Sequence, residues 1–161
     1  ANVIATAGSD EKCQACLKLG ADVAVNYRTE DFVEKAKAAT GKAGVNVILD
    51  MVGGDYIEKN IKCLGDDGRM VNIAYQKGSK AEIDFLRVML KRLTITGSTL
   101  RIRPTEVKGR IARGLKEYVL PMLSDGRVKV VMDSTFPLRE AAKAHARMDE
   151  GAHIGKIVLT M

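Results

Sequence analysis

Apolar positions along this chain gather into short runs, and the runs alternate with stretches in which apolar residues recur every three or four positions. Val3–Thr6, Val23–Tyr27, Val45–Asp50, Arg69–Ala74, Leu93–Gly97, Val128–Met132 and Lys156–Thr160 read as strands. Between them, Ser9–Leu19, Asp31–Thr40, Tyr56–Cys63, Phe85–Arg92 and Leu138–Met148 carry helical spacing. Gly20 and Gly41 fall just past the first two helices, where a helix commonly stops. A longer helix starts near Pro104, with Val107, Ile111, Leu115, Tyr118 and Met122 as its apolar stripe, and Pro121 is expected to kink or end it. The run "VNVILD" at 45–50 is nearly all apolar, which predicts a strand covered on both faces. Alternation of this kind, with short glycine-bearing loops, predicts an α/β fold: a parallel sheet flanked by helices, joined by right-handed crossovers. No internal repeat, low-complexity tract or long linker interrupts it.

Length and composition narrow the picture. The 161 residues, 46% of them hydrophobic, suffice for a packed core and exclude a disordered chain. No apolar run approaches the ~20 residues that span a bilayer, and no charged-then-apolar leader opens the chain. The chain starts at Ala1, which raises the expectation of a processed or cut piece. The formal net charge is +6, and the excess is concentrated: Arg87 to Lys116 holds nine basic residues and one acid, Glu106. A solvated basic face or an anionic partner both explain this. Cys13, Cys16 and Cys63 make an odd count that suits a reducing cytoplasm. Cys13-x-x-Cys16 falls inside a helical pattern, and no second Cys or Cys/His pair completes a zinc site. His145 and His153 have no acid or nucleophile at a suggestive spacing. No metal ligands and no catalytic side chains are therefore assigned.

In open α/β sheets ligands bind beyond the carboxyl ends of the strands. Those ends read "TAGS", "NYR", "DMVGG", "IAYQKG" and "TGSTL", rich in small and hydroxylated residues that let a ligand approach the backbone. The first is the most specific. Where a dinucleotide fold that selects an unphosphorylated ribose carries Asp or Glu, this chain has Ala7, Gly8 and Ser9. Lys12 follows Ser9 by about one helical turn, so both can face the same phosphate. Tyr27 can close that pocket, with Arg28 beside it. Ser9 as a plain helix cap and Lys12 as a solvated lysine are the alternatives.

The ordered series "VIATAGSDEKCQACLKLGADVAVNYRTEDF", "VILDMVGG", "GRMVNIA", "ITGSTLR" and "FPLREAAKAHARMDEGAHIGKIVL" resembles the zinc-independent quinone oxidoreductases of the medium-chain dehydrogenase/reductase superfamily, the zeta-crystallin-like group, along essentially the whole chain. The resemblance implies NADPH as cofactor and hydride transfer to a quinone or enone. It implies a 2′-phosphate pocket of Gly8, Lys12 and Tyr27, with Ser9 as an adjacent donor. It further implies that Val52, Gly53, Ile73, Ala74 and Tyr75 line the cofactor, with Ser98, Thr99 and Leu100 near the nicotinamide. An enoyl-reductase of the same superfamily is the alternative activity. A nucleic-acid-binding module on the basic 87–116 stretch is the alternative class, and the scarcity of aromatics (4%, no tryptophan) argues against it.

Against that family the chain lacks the usual first strand and its glycine-rich turn, so a Rossmann-like doubly wound sheet short of one strand is expected. Residues 1–126 would form a partial cofactor domain, and 127–161 a segment that in the family packs with a substrate domain. A homodimer through the sheet edge at Thr94–Gly97, or by strand exchange, is the expected assembly. The piece by itself is expected to be inactive and to bind NADPH weakly.

Overall fold

A computed structural model describes residues 1–161. The chain divides into two compact units, Ala1–Arg101 and Ile102–Met161. The first runs β1 (Ile4–Ala7), α1 (Asp10–Lys18), β2 (Val23–Asn26), α2 (Phe32–Ala39), β3 (Val45–Asp50), α3 (Tyr56–Cys63), β4 (Leu64–Asn72), α4 (Phe85–Leu90) and β5 (Thr94–Gly97). The second runs α5 (Thr105–Gly114), α6 (Leu120–Ser124), β6 (Met132–Pro137), α7 (Ala141–Asp149) and β7 (Lys156–Thr160). Every strand pair is parallel, as the alternation predicts. The helix starts follow their caps: Ser9 Oγ accepts from the Lys12 N–H at 3.2 Å, and Asp31 Oδ1 accepts from the Val33 N–H at 2.8 Å.

The strands of the first unit form two separate sheets, β1–β2 and β3–β4–β5, and no ladder joins β1 to β3. Side chains hold them together instead. Val25, Phe32, Val33 and Ala36, from β2 and α2, pack with Tyr56 and Cys63 of α3. Ile4 and Val23 flank this cluster from one sheet, and Val45 and Ile48 from the other. A second cluster, Ile57, Ile61, Leu64 and Met70, lies between α3 and the three-stranded sheet.

That sheet is covered on one face only. In register, Ile48, Met70 and Ile95 share a face, while Val47 and Leu49 share the other with Arg69, Val71, Thr94 and Thr96. Met70 is fully buried, whereas Val47 is 66% and Leu49 63% exposed. The expectation that 45–50 is covered on both faces is therefore corrected: α3 and α4 cover one side, and nothing in the chain lies on Val47 and Leu49.

Three further expectations change. β4 begins at Leu64, not Arg69, because Leu64 pairs with Val45 before the strand bulges through "GDDG" and resumes at Arg69. Asp67 takes a left-handed conformation there, and Arg92 grips Asp67 and Asp66 from the turn before β5. The strand read at Val128–Met132 lies instead at Met132–Pro137, where pairing with β7 sets the register; Val128 and Val130 stay exposed. Pro121, which has no N–H to donate, is met by a five-residue π segment at Leu115–Val119, ahead of α6. The stripe along that helix is largely exposed at Ile111, Leu115 and Tyr118.

In the second unit a charged clip ties α7 and the start of β7 to β6. Asp133 accepts from Arg147 Nε at 3.0 Å and Nη2 at 2.9 Å, from the Ile154 N–H at 3.0 Å and from Ser134 Oγ at 2.9 Å. The Arg147 hydrogen bonds, then that of Ile154, hold the Asp133 carboxyl well below the usual carboxylate range.

Two outcomes are expected. The one-sided sheet predicts that Met70→Ala costs about 2–5 kcal/mol in urea unfolding, while Val47→Thr costs less than about 0.5 kcal/mol. The Asp133 clip contributes stability that is fully present above the ordinary carboxylate pKa of about 3.9 and is lost as pH falls through the depressed folded value. The thermal midpoint of Asp133→Asn should therefore lie well below wild type at pH 7, with the gap narrowing below about pH 4.

Candidate functional site

The carboxyl ends of β1 and β2 lie side by side, with Ala7 opposite Asn26 and the Tyr27 N–H donating to the Ala7 carbonyl at 3.1 Å. The chain turns at Gly8 into α1. A Cβ placed on Gly8 would stand 2.7 Å from Tyr27 Oη, 3.1 Å from its Cζ and 3.5 Å from Arg28 Nε. Glycine is what lets the Tyr27 ring lie across the turn. Ser9 accepts the Lys12 N–H as cap, and its hydroxyl proton remains available for donation. Lys12 is half-buried one turn along α1.

Asp10 and Glu11 make the first turn of α1 acidic, which opposes an anion. Asn26 engages one of them: its Nδ2 donates to Asp10 Oδ1 at 2.7 Å, while its Oδ1 accepts from the Arg28 N–H at 3.1 Å. Asn26 is 7% exposed, so it fixes this corner from inside. Arg28 and Lys77 form no ion pair with any carboxylate.

An aromatic stack backs the turn. Tyr27 meets Tyr56 edge-on, with ring centres 5.9 Å apart at 84°, and Tyr56 stacks on Phe32 at 5.0 Å and 30°. Lys77 Nζ lies 5.5 Å from the centres of both tyrosine rings. The Tyr56 hydroxyl is buried, with the Thr6 side chain as a polar neighbour but no well-formed hydrogen bond. Burial, with the neighbouring Tyr27 adding to it, pushes its phenol up to about 12. At neutral pH it is therefore a protonated phenol with the Thr6 side chain as its polar neighbour.

The loops after β3 and β4 form a second group. Asp50, 3% exposed, accepts from the N–H groups of Val52 at 2.8 Å and Gly53 at 3.3 Å, closing the turn. Backbone bonds lace this turn to the next loop: Ile73 N–H to Asp50 O at 2.8 Å, Lys77 N–H to Val52 O at 2.7 Å, and Gly54 N–H to Gly78 O at 2.8 Å. Gly53 has φ +70°, and a Cβ there would strike the Gly78 carbonyl and the Tyr75 ring. Val52, Gly53, Ile73, Ala74 and Tyr75 are thus gathered in one place, with Ile73 and Tyr75 exposed. Ser98, Thr99 and Leu100 lie exposed past the end of β5, where the Ser98 N–H donates to the Asn72 carbonyl at 2.9 Å. They sit beside β4, at the far side of the three-stranded sheet from β3.

The cysteines are free. Burial raises the Cys13 thiol, and raises Cys63 to about 11, so both stay protonated. Sequence reasoning missed Tyr56 and Lys77. Both stood in view, in "GGDYI" and "IAYQKG", but the side chains that bring them to Tyr27 cross between two sheets, and spacing along the chain carries no sign of that.

Residues 19–159 match the family model described as zinc-binding dehydrogenase. The chain belongs to that family. It is 31% identical to quinone oxidoreductase-like protein 2 of Bos taurus over 100% of this chain and 46% of the relative. It is 34% identical to 2-haloacrylate reductase of a Burkholderia species, over 99% of this chain and 48% of that protein. Among solved structures, Escherichia coli quinone oxidoreductase complexed with NADPH superposes with a TM-score of 0.83 at 31% identity, covering 100% of this chain and 50% of that one. The chain thus spans about half the length of the curated relatives it matches. The expected family and the α/β, Rossmann-like fold class both hold.

The Gly8–Tyr27 contact predicts a coupled pair. Gly8→Ala should destabilise by about 1 kcal/mol and shift the tyrosine near-UV circular dichroism, whereas the same change in a Tyr27→Ala background should do neither.

Proposed function

We propose that this chain is the cofactor-binding part of an NADPH-dependent reductase acting on a quinone or a related enone, and that the Gly8–Tyr27 cleft takes the 2′-phosphate. The observation that carries the reading is the Gly8 turn itself. It bears no carboxylate where an unphosphorylated ribose would want one, Tyr27 and Arg28 lie against it, and Lys12 follows one turn along α1. Asn26 turning Asp10 aside supports the same polarity. The residues fit the group: a glycine turn, a tyrosine hydroxyl lying against it and a guanidinium with no ion pair.

Val52, Gly53, Ile73, Ala74 and Tyr75 would line the middle of the cofactor, and Ser98, Thr99 and Leu100 its nicotinamide end. When bound, the cofactor supplies a hydride, and these residues would orient it and hold water away. No side chain of this chain is assigned to covalent or acid–base chemistry, and we propose zinc independence, in keeping with the quinone oxidoreductase group that the sequence resembles. Residues 127–161 would pack with a substrate domain in the longer protein. The edge of β5, hydrogen-bonded on its β4 side only, supports a homodimer through Thr94–Gly97. Three free thiols suit a reducing cytoplasm. Within the basic 87–116 stretch, Arg87 pairs with Asp84 and Arg92 with Asp66 and Asp67, which favours the cofactor reading over nucleic acid.

The test is made in a longer protein that carries this segment. Lys12→Glu should raise the KM for NADPH at least about tenfold and leave that for NADH nearly unchanged, since the new charge opposes only the extra phosphate. Equal effects on both cofactors would return Lys12 to the helix surface and overturn the phosphate reading.

A further inference from the structure

Lys77 is not among the residues that the sequence or the family resemblance assigns to the cofactor. It belongs to the loop after β4, the loop gathered against Gly53 and Gly54. Its ammonium nevertheless reaches the other sheet, where it occupies the corner between the perpendicular rings of Tyr27 and Tyr56, 5.5 Å from each centre. The backbone beneath it is fixed by the Lys77 N–H to Val52 O bond and by Gly54 N–H to Gly78 O.

What the ammonium lacks is an anion. Arg87, Arg92, Arg127 and Arg147 all have carboxylate partners, as do Lys35 and Lys62. Lys77 has two aromatic faces and no carboxylate, and so does not spend its charge within the protein. The second ring belongs to Tyr56, a buried residue whose hydroxyl has the Thr6 side chain as its polar neighbour. At the hydroxyl end of the Tyr27 ring stands Gly8, where a Cβ would lie 2.7 Å from Tyr27 Oη and 3.5 Å from Arg28 Nε. Two cations from different loops, Lys77 and Arg28, thus stand at Tyr27, and neither has a carboxylate partner.

We propose that Lys77 is a specificity-determining residue for the phosphate monoester of the bound nucleotide, supplying charge from the loop after β4 to a site otherwise built on β1, α1 and β2. This rests on the reading of the Gly8–Tyr27 cleft as a phosphate site. It has a consequence that reading lacks: one side chain links the two sheets when the phosphate is bound, so occupancy of the adenosine end is felt by the loop that also carries Tyr75.

The experiment is calorimetric or NMR titration of the full 161-residue chain with adenosine 2′,5′-bisphosphate and with 5′-AMP, which differ only in the 2′-phosphate. Inorganic phosphate serves as a third probe. Wild type should favour the bisphosphate over 5′-AMP. Lys77→Gln should lower bisphosphate affinity about tenfold and leave 5′-AMP nearly unchanged, as expected for one charged contact. Lys77→Arg should retain most of the preference. Tighter binding of inorganic phosphate than of the bisphosphate would mean a free-anion site and overturn the proposal. A wild-type chain that does not distinguish the two nucleotides overturns both the cleft reading and this one. A wild-type preference that survives Lys77→Gln intact leaves the cleft reading standing and overturns the role of Lys77. Equal loss for both nucleotides assigns Lys77 to the fold or to the 5′-phosphate, and overturns it as well.

Discussion

The first unit depends on a stack of three rings. Phe32, Tyr56 and Tyr27 join elements that no backbone ladder joins, because β1–β2 and β3–β4–β5 are hydrogen-bonded within themselves and not to each other. A parallel sheet is ordinarily held by its ladder, with helices packed on the outside. Here the apolar contact of α2 with α3 carries the connection, and the rings are its largest members. Fully burying a side chain of this size is worth about 1.5–3 kcal/mol, so a few of them match what a short ladder contributes.

The same stack underlies the proposed site. Tyr56 is placed by its packing against Phe32 and Tyr27. Tyr27 is placed by its edge against Tyr56 and by the missing Cβ of Gly8. Lys77 is placed by the corner the two tyrosines make. The first turn of α1 is acidic, and there Asn26 binds Asp10 from a buried position while Arg28 Nε borders the Gly8 turn. The residues that hold the two sheets together at this corner are therefore also those that surround the proposed phosphate site.

The open face of β3 illustrates how composition and tertiary structure can part. Six residues, "VNVILD", carry the signature of a strand buried on both sides. In this chain Ile48 and Asp50 are covered, and Val47 and Leu49 are not. Alternation gives the faces of a strand, and only the neighbouring elements decide how many of those faces are used.

Much of the fold was legible residue by residue. Ser9 and Asp31 marked helix starts that the side-chain caps then made, and the alternation of strand and helix fixed a parallel arrangement. Gly8, Tyr27 and Arg28 were legible as neighbours because two adjacent parallel strands end together. Local chemistry determines such features: a cap, a period, a turn without a side chain. What tertiary structure alone decided were the register of β6, the bulge that lets β4 start at Leu64, the break between the sheets, and the reach of Tyr56 and Lys77 to Tyr27. Each of these depends on contact between residues far apart in the chain, where free energy is set by packing and by which polar groups remain unpaired, and a one-dimensional pattern carries neither.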